Sequence, residues 1–253
     1  MMNKAVAFLF MLITVTLSTD YCSDSICKKG EKHIACDNDG KFDKTCPSNV
    51  NIIEFTGDFK EFAINTQNKL RNRIALGEIV GYDKAARMAT LVWHDELAKL
   101  AEYTVRTCIF EHDECHNTDN FPHAGQNIAI AKGGKKTIDP KEVIENTTKG
   151  WFDEHFNANK SIIANYKRNG KTIGHFTQLV QDQAYAVGCA LVQFKKDAYT
   201  TIYACDYSLG NLKNIPVYEA SSKTASKCTK GTNPQLKGLC STSEIYDNKL
   251  FYN

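Results

Sequence analysis

Two histidines and one carboxylate stand where polar sequence meets apolar sequence. His175 lies in Gly174-His175-Phe176-Thr177-Gln178, between a polar loop and an apolar strand pattern. His112 lies just past a helical stretch, in Cys108-Ile109-Phe110-Glu111-His112-Asp113. Glu154 falls one turn after Trp151, on what reads as the inner face of a helix. Two imidazoles and a carboxylate are a ligand set that suits zinc or copper. A carboxylate on an inner face also needs a partner, because burying its charge alone is expensive. A structural hydrogen-bond cluster is the simpler reading, with His112 and His175 as candidate metal ligands.

Nothing nearby supplies covalent catalysis. The chain has no Gly-x-Ser-x-Gly elbow, no His-Glu-x-x-His pair, no phosphate-cradling Gly-Lys-Thr loop and no dinucleotide fingerprint. It has 10 cysteines, an even number, with no Cys-x-x-Cys spacing. In an exported chain this reads as five disulfides rather than a zinc site, and it leaves no thiol as a nucleophile. Locality pairs Cys189 with Cys205 across a hairpin, and Cys228 with Cys240 in the C-terminal tail. The other six cysteines cannot be paired from spacing.

Export is expected from the start of the chain. A basic opening through Lys4, an apolar run from Ala5 to Leu17 and the small residues Ser18 and Thr19 have the layout of a signal peptide over residues 1–19. The run is shorter than the roughly 20 apolar residues that span a bilayer, and no later window is apolar enough. A secreted, extracellular protein that is not integral to a membrane is therefore expected. With 31 basic against 29 acidic residues, a formal charge of +2 gives no reason to expect a nucleic-acid partner. Asn146-Thr147-Thr148 and Asn159-Lys160-Ser161 make Asn146 and Asn159 candidate N-glycosylation sites.

The elements that must position these residues follow from periodicity. Residues 20–57 are rich in Cys, Lys, Asp and Gly without a helical period, and read as a disulfide-held N-terminal extension. Phe59, Phe62, Thr66, Leu70 and Ile74 recur at helical spacing, with Asp58 as cap and Gly77 and Gly81 as the end. A second helix begins near Asp95, with Leu97, Leu100, Ala101, Thr104 and Cys108 on one face. Residues 111–125 read as polar loop. Asp139, Pro140 and Glu142 form a capping-box start for a third helix, with Val143, Thr147, Trp151 and Glu154 inward. Tyr185 to Phe194 is a nearly continuous apolar run, as in a strand covered on both faces. Thr200 to Tyr207 alternates, and a further strand is expected near Asn127 to Ala131. Helices first and a hairpin late predict an α+β fold, with a mainly antiparallel central sheet between helices. The main domain spans 58–212, and 213–253 is expected as an extended C-terminal extension with one disulfide.

The motifs carry a resemblance. Gly174-His175-Phe176-Thr177-Gln178, Gly125-Gln126-Asn127-Ile128, Asn68-x-x-Arg71 and Cys205-Asp206-Tyr207 resemble, in order, motifs of the CAP superfamily of cysteine-rich secretory, antigen 5 and pathogenesis-related proteins. Tyr21-Cys22, His33-Ile34-Ala35-Cys36 and Leu91-Val92-Trp93-His94-Asp95-Glu96-Leu97 are similar to its insect antigen 5 branch, including fly salivary members. The resemblance implies an α-β-α sandwich and the pairs Cys22–Cys36, Cys27–Cys115, Cys46–Cys108 and Cys189–Cys205. It also implies a central cleft of two histidines and two acids, which fall on His112, His175, Glu154 and Gln126. Gln126 departs from the acid, and a neutral amide is a poor ligand and no general base. Gln67 stands where the family usually has histidine.

Three functions compete. The first is a secreted, non-enzymatic antigen 5 protein of the allergen type, binding a small hydrophobic ligand or lipid, or host immune or haemostatic proteins, and requiring no cofactor. The second is zinc or copper binding at His112 and His175 with metal-dependent, superoxide-dismuting activity. The third is an inert structural protein of the secretion.

Overall fold

A computed structural model describes residues 19–134 and 136–248. The expected signal peptide lies outside them, Thr19 excepted.

The chain runs through β1 (Asn51–Ile53), α1 (Gly57–Ala75), β2 (Lys84–Ala85), β3 (Val92–Trp93), α2 (Asp95–Val105) and β4 (Gly125–Gly133). It continues through α3 (Pro140–Asp153), a 3-10 turn (Glu154–Asn157), α4 (Lys160–Ala164), α5 (Gly174–Leu179), β5 (Ala186–Lys195), β6 (Tyr199–Tyr207) and β7 (Ala220–Ser221). β6 lies between β4 and β5, antiparallel to both, while β1 joins β5 antiparallel and β3 joins it parallel. β2 and β7 form a separate two-stranded ladder.

The sheet is covered on both faces, as the apolar run of β5 requires. On one side Ala101 and Val105 of α2 pack with Ile128, Ala190, Val192, Ile202 and Ala204. On the other, Ala63 of α1 and Val143, Ile144 and Trp151 of α3 pack with Leu191, Tyr203, Cys205 and Tyr207. α2 lies so close to β5 that a Cβ on Gly188 would sit 1.9 Å from the Ala98 nitrogen, so only glycine fits there. The α-β-α sandwich is thus present, and all five expected disulfides form: Cys22–Cys36, Cys27–Cys115, Cys46–Cys108, Cys189–Cys205 and Cys228–Cys240.

Several local expectations change. The buried stripe of α1 is Ala63, Gln67, Asn68, Arg71 and Ile74, whereas Phe59, Phe62, Thr66 and Leu70 are only half-buried. Polar side chains go inside because the interior satisfies them. Arg71 donates to the carbonyls of Ala89, Leu179, Gln181 and Ala184. Asn68 exchanges two hydrogen bonds with Leu91. Thr56, not Asp58, occupies the N-cap of α1, with Asp58 in the first turn. α2 ends at Val105, leaving Cys108 beyond it at a φ of 56°. β6 is buried from Thr200 to Tyr207 rather than alternating, because β4 and β5 flank it and helices cover both faces. Asp139 caps α3 through the amides of Lys141 and Glu142 as expected.

The ends are better integrated than extensions. β1, inside the N-terminal segment, is a strand of the main sheet. In the C-terminal segment Val217, Tyr218 and Leu239 are buried in one core cluster with Ile74, Met88, Phe152 and Phe176.

Candidate functional site

The four cleft residues form two pairs. Glu154 is the first residue of the 3-10 turn, just past α3 rather than on its inner face. From there its carboxylate reaches α5: Oε1 lies 2.6 Å from Nδ1 of His175, and Oε2 accepts the amides of His175 at 2.9 Å and Phe176 at 3.2 Å. The partner that a carboxylate here requires is therefore His175 and the opening turn of α5. The His175 ring stacks on Trp151, which stacks on Tyr203. Its side chain keeps 27% exposure against 12% for Glu154.

The second pair hangs from β4. His112 Nδ1 lies 2.7 Å from Oε1 of Gln126. The Gln126 amide nitrogen donates to Asp113 Oδ2 at 2.7 Å and Asp206 Oδ1 at 2.9 Å. With two carboxylates taking the amide protons, the Gln126 carbonyl must point at His112, so the imidazole donates from Nδ1. Consecutive residues of β4 join the pairs, since the Asn127 side chain donates to the His175 carbonyl at 3.1 Å.

Beneath Gln126 lies a charged group that the sequence reading assigned no role. Asp113 Oδ1 meets His116 Nδ1 at 2.6 Å, and Asp113 Oδ2 also accepts from Thr104 of α2 at 2.6 Å. Burial alone would raise the Asp113 carboxyl, but His116 and the hydrogen bonds to His116, Thr104 and Gln126 hold it below the usual carboxylate range. Burial alone would lower His116, yet Asp113 and Asp206 push it up to about 9. Burial pushes Asp206 up to about 7, against the opposing pull of His116. Among the described residues its Oδ2 has no hydrogen-bond partner. Asp113 and His116 sit in a stretch that reads as polar loop, and only the His-Asp dipeptide at 112–113 hints at the group.

The metal reading rests on two imidazoles. Each spends Nδ1 on a protein acceptor, leaving Nε2 as the atom to offer, an arrangement typical of anchored ligands. Among the described residues no convergent set of three candidate ligands contains either histidine. The set found joins the disulfide of Cys22 and Cys36 to exposed Asp37, and disulfide sulfurs are not thiolates. Among the described residues neither histidine is part of the three-ligand set that a catalytic zinc site requires.

Asn146 and Asn159 are both exposed. The Asn159 side-chain oxygen caps α4, accepting from the amides of Ser161 and Ile162.

A disulfide-stapled α-β-α sandwich with two histidines anchored at one end of its sheet defines a cysteine-rich secretory module. The chain belongs to the CAP cysteine-rich secretory protein family, whose model matches residues 64–207, and to its insect antigen 5 branch. It is 40% identical over 243 residues to Venom allergen-1 of Aedes albopictus, covering 92% of this chain and 94% of that protein. It is 40% identical over 207 residues to the antigen 5 like allergen Cul n 1 of Culicoides nubeculosus, covering 77% and 93%. The solved structure of NaASP2 with Zn2+ shares the fold, with a TM-score of 0.63 at 24% identity, covering 78% of this chain and all of that one.

Proposed function

We propose that this protein is a secreted antigen 5 protein that works outside the cell by non-covalent binding, without turnover, on a host defence protein or a small hydrophobic ligand. One observation carries the reading: the groups that could react are tied down. No free cysteine exists among the described residues. Gln126 stands where the resemblance places an acid and is held by His112, Thr104, Asp113 and Asp206. Glu154 spends both carboxylate oxygens on His175 and the amide of Phe176. Among the described residues no helix is long and apolar enough to cross a membrane.

Two concavities bear on the choice of partner. A cleft of about 420 Å³ opens between the N-terminal segment and the His112 loop, lined by Lys32, His33, Asp37, Asp39, His112 and Glu114. Ile34 and the Cys36 disulfide lie among these charged side chains, and such mixed walls suit a peptide segment. An apolar hollow at Ile163, Ala164, Pro216 and Tyr218 holds about 200 Å³. Sites for drug-sized ligands run from roughly 300 to 1,000 Å³, so this hollow suits a small apolar group.

Capture from vertebrate plasma and from a lipid extract, with mass spectrometry of proteins and lipids together, tests the proposal. A specific, saturable partner is expected. Retention of nothing from either source would leave the inert-protein reading in its place.

That each imidazole spends Nδ1 within the protein and presents Nε2 motivates a second reading, zinc or copper held by His112 and His175 with superoxide dismutation on the copper form. Calorimetric titration of each metal into wild type and His175→Ala is the test. Equal affinities remove this cleft as the metal site.

A further inference from the structure

From His155 to Gln181 the sequence has no Asp or Glu, yet it has Lys160, Lys167, Arg168 and Lys171. The fold gathers this stretch on one surface. The Asn157 side chain donates to the Thr172 carbonyl and Asn169 donates back to the Asn157 carbonyl, so the loop of Arg168 and Lys171 lies against the turn of Phe156. Tyr166 exchanges backbone hydrogen bonds with Asn214 and Ile215, which brings exposed Lys213 alongside.

Acidic residues around this surface already have partners. Asp83 pairs with Lys160, Asp153 with Lys149 and Glu78 with Arg73, and Glu154 is hydrogen-bonded to His175 and Phe176. Lys167, Arg168, Lys171 and Lys213 are exposed and have no acidic partner among the described residues. Four cations remain in excess.

Two apolar side chains project beside them. Phe156 is 78% exposed, its ring against His155, and Val80 is 98% exposed at the tip of the Gly77–Gly81 loop. Tyr82 ties the two loops, donating its hydroxyl to the His155 carbonyl at 2.6 Å. Bare Phe and Val side chains next to unpaired cations are unfavourable in water but match the boundary of an anionic bilayer, where apolar groups enter and Lys and Arg meet headgroups.

We propose that this face docks the protein peripherally on anionic phospholipid membranes, with Phe156 and Val80 entering the headgroup boundary and Lys167, Arg168, Lys171 and Lys213 meeting the lipid phosphates. A soluble sulfated polysaccharide would use the cations but leave Phe156 and Val80 without a role.

The test is co-sedimentation of the full protein with vesicles of phosphatidylcholine alone and of phosphatidylcholine with phosphatidylserine. Binding to the phosphatidylserine vesicles alone is expected, and it should weaken with added salt. Lys167→Gln/Arg168→Gln/Lys171→Gln should lose about a hundredfold in affinity, at roughly fivefold per cation. Phe156→Ser should lose about tenfold from lost apolar burial. Lys28→Gln/Lys29→Gln/Lys44→Gln, an equal charge change elsewhere, should bind as wild type. All these residues are exposed, so the fold is not at risk, and a thermal melt checks it. No sedimentation with phosphatidylserine vesicles, or equal losses in both triple variants, would overturn the proposal. So would retention on heparin without vesicle binding and without an effect of Phe156→Ser.

Discussion

Gln126 stands directly across the β4–β6 pairing from Asp206, and its amide donates to that carboxylate at 2.9 Å. The resemblance places an acid at position 126; here an acid lies one strand over, buried, with one oxygen unpartnered. Gln126 links this interior charge to His112 at the surface and fixes which imidazole nitrogen faces outward.

Restoring an acid with Gln126→Glu should therefore destabilise the protein. The variant removes both donors from Asp113 and Asp206 and adds a third carboxylate, at a cost of about 1–3 kcal/mol near neutral pH. Urea unfolding is the check. The deficit should shrink at pH 5, where protonation relieves the crowding, and an equal deficit at both pH values would contradict it.

His116 predicts the alkaline side of the stability profile. Its folded value lies near 9 against an ordinary 6.5, so the folded state binds the proton more tightly. That contribution is complete below about pH 6.5 and is lost as pH rises through about 9. Asp206, raised to about 7 by burial, has the same sign, its loss beginning at lower pH. Melting temperature should fall between pH 6.5 and 9, and His116→Gln should flatten that interval.

Glu154→Ala should loosen α5 more than α3. The carboxylate caps the amides of His175 and Phe176, and its loss leaves donors unpaired at about 1–3 kcal/mol. Hydrogen exchange read by NMR should show the two amides losing protection while Val143 and Ile144 keep theirs.

Arg71 should be among the least tolerant positions. Its guanidinium is fully buried and serves four backbone carbonyls, those of Ala89, of Leu179 at the end of α5, and of Gln181 and Ala184. Arg71→Met leaves those carbonyls unpaired and should cost about 4 kcal/mol or more. Arg71→Lys should recover little, since an ammonium lacks the planar fork. Denaturant unfolding of both variants checks this.

Much of the sandwich was legible because burial on two faces writes a continuous apolar run, as in β5, and because Asp139-Pro140 is a local capping signal. The stripe of α1 was not. Helical periodicity picks out Phe59, Phe62 and Leu70, while the true interior face is polar and is stabilised by distant carbonyls that no local pattern reveals. The β6 alternation misled for a related reason: Thr200 and Thr201 are buried by neighbouring strands. That Glu154 needs a partner was legible from the cost of burying a lone carboxylate, but the identity of that partner, His175, came only from the fold. Asp113 and His116 remained hidden because charged residues in a loop ordinarily mark solvent, and Asp206 because nothing local shows that its strand is covered on both faces.

Recognition without reaction is the central claim, and intact-mass spectrometry of the captured partner tests it most directly. After prolonged incubation with excess protein, partner and protein should both keep their original masses. A cleaved or modified partner, formed by wild type and not by His112→Ala or His175→Ala, would show that the anchored histidines react after all.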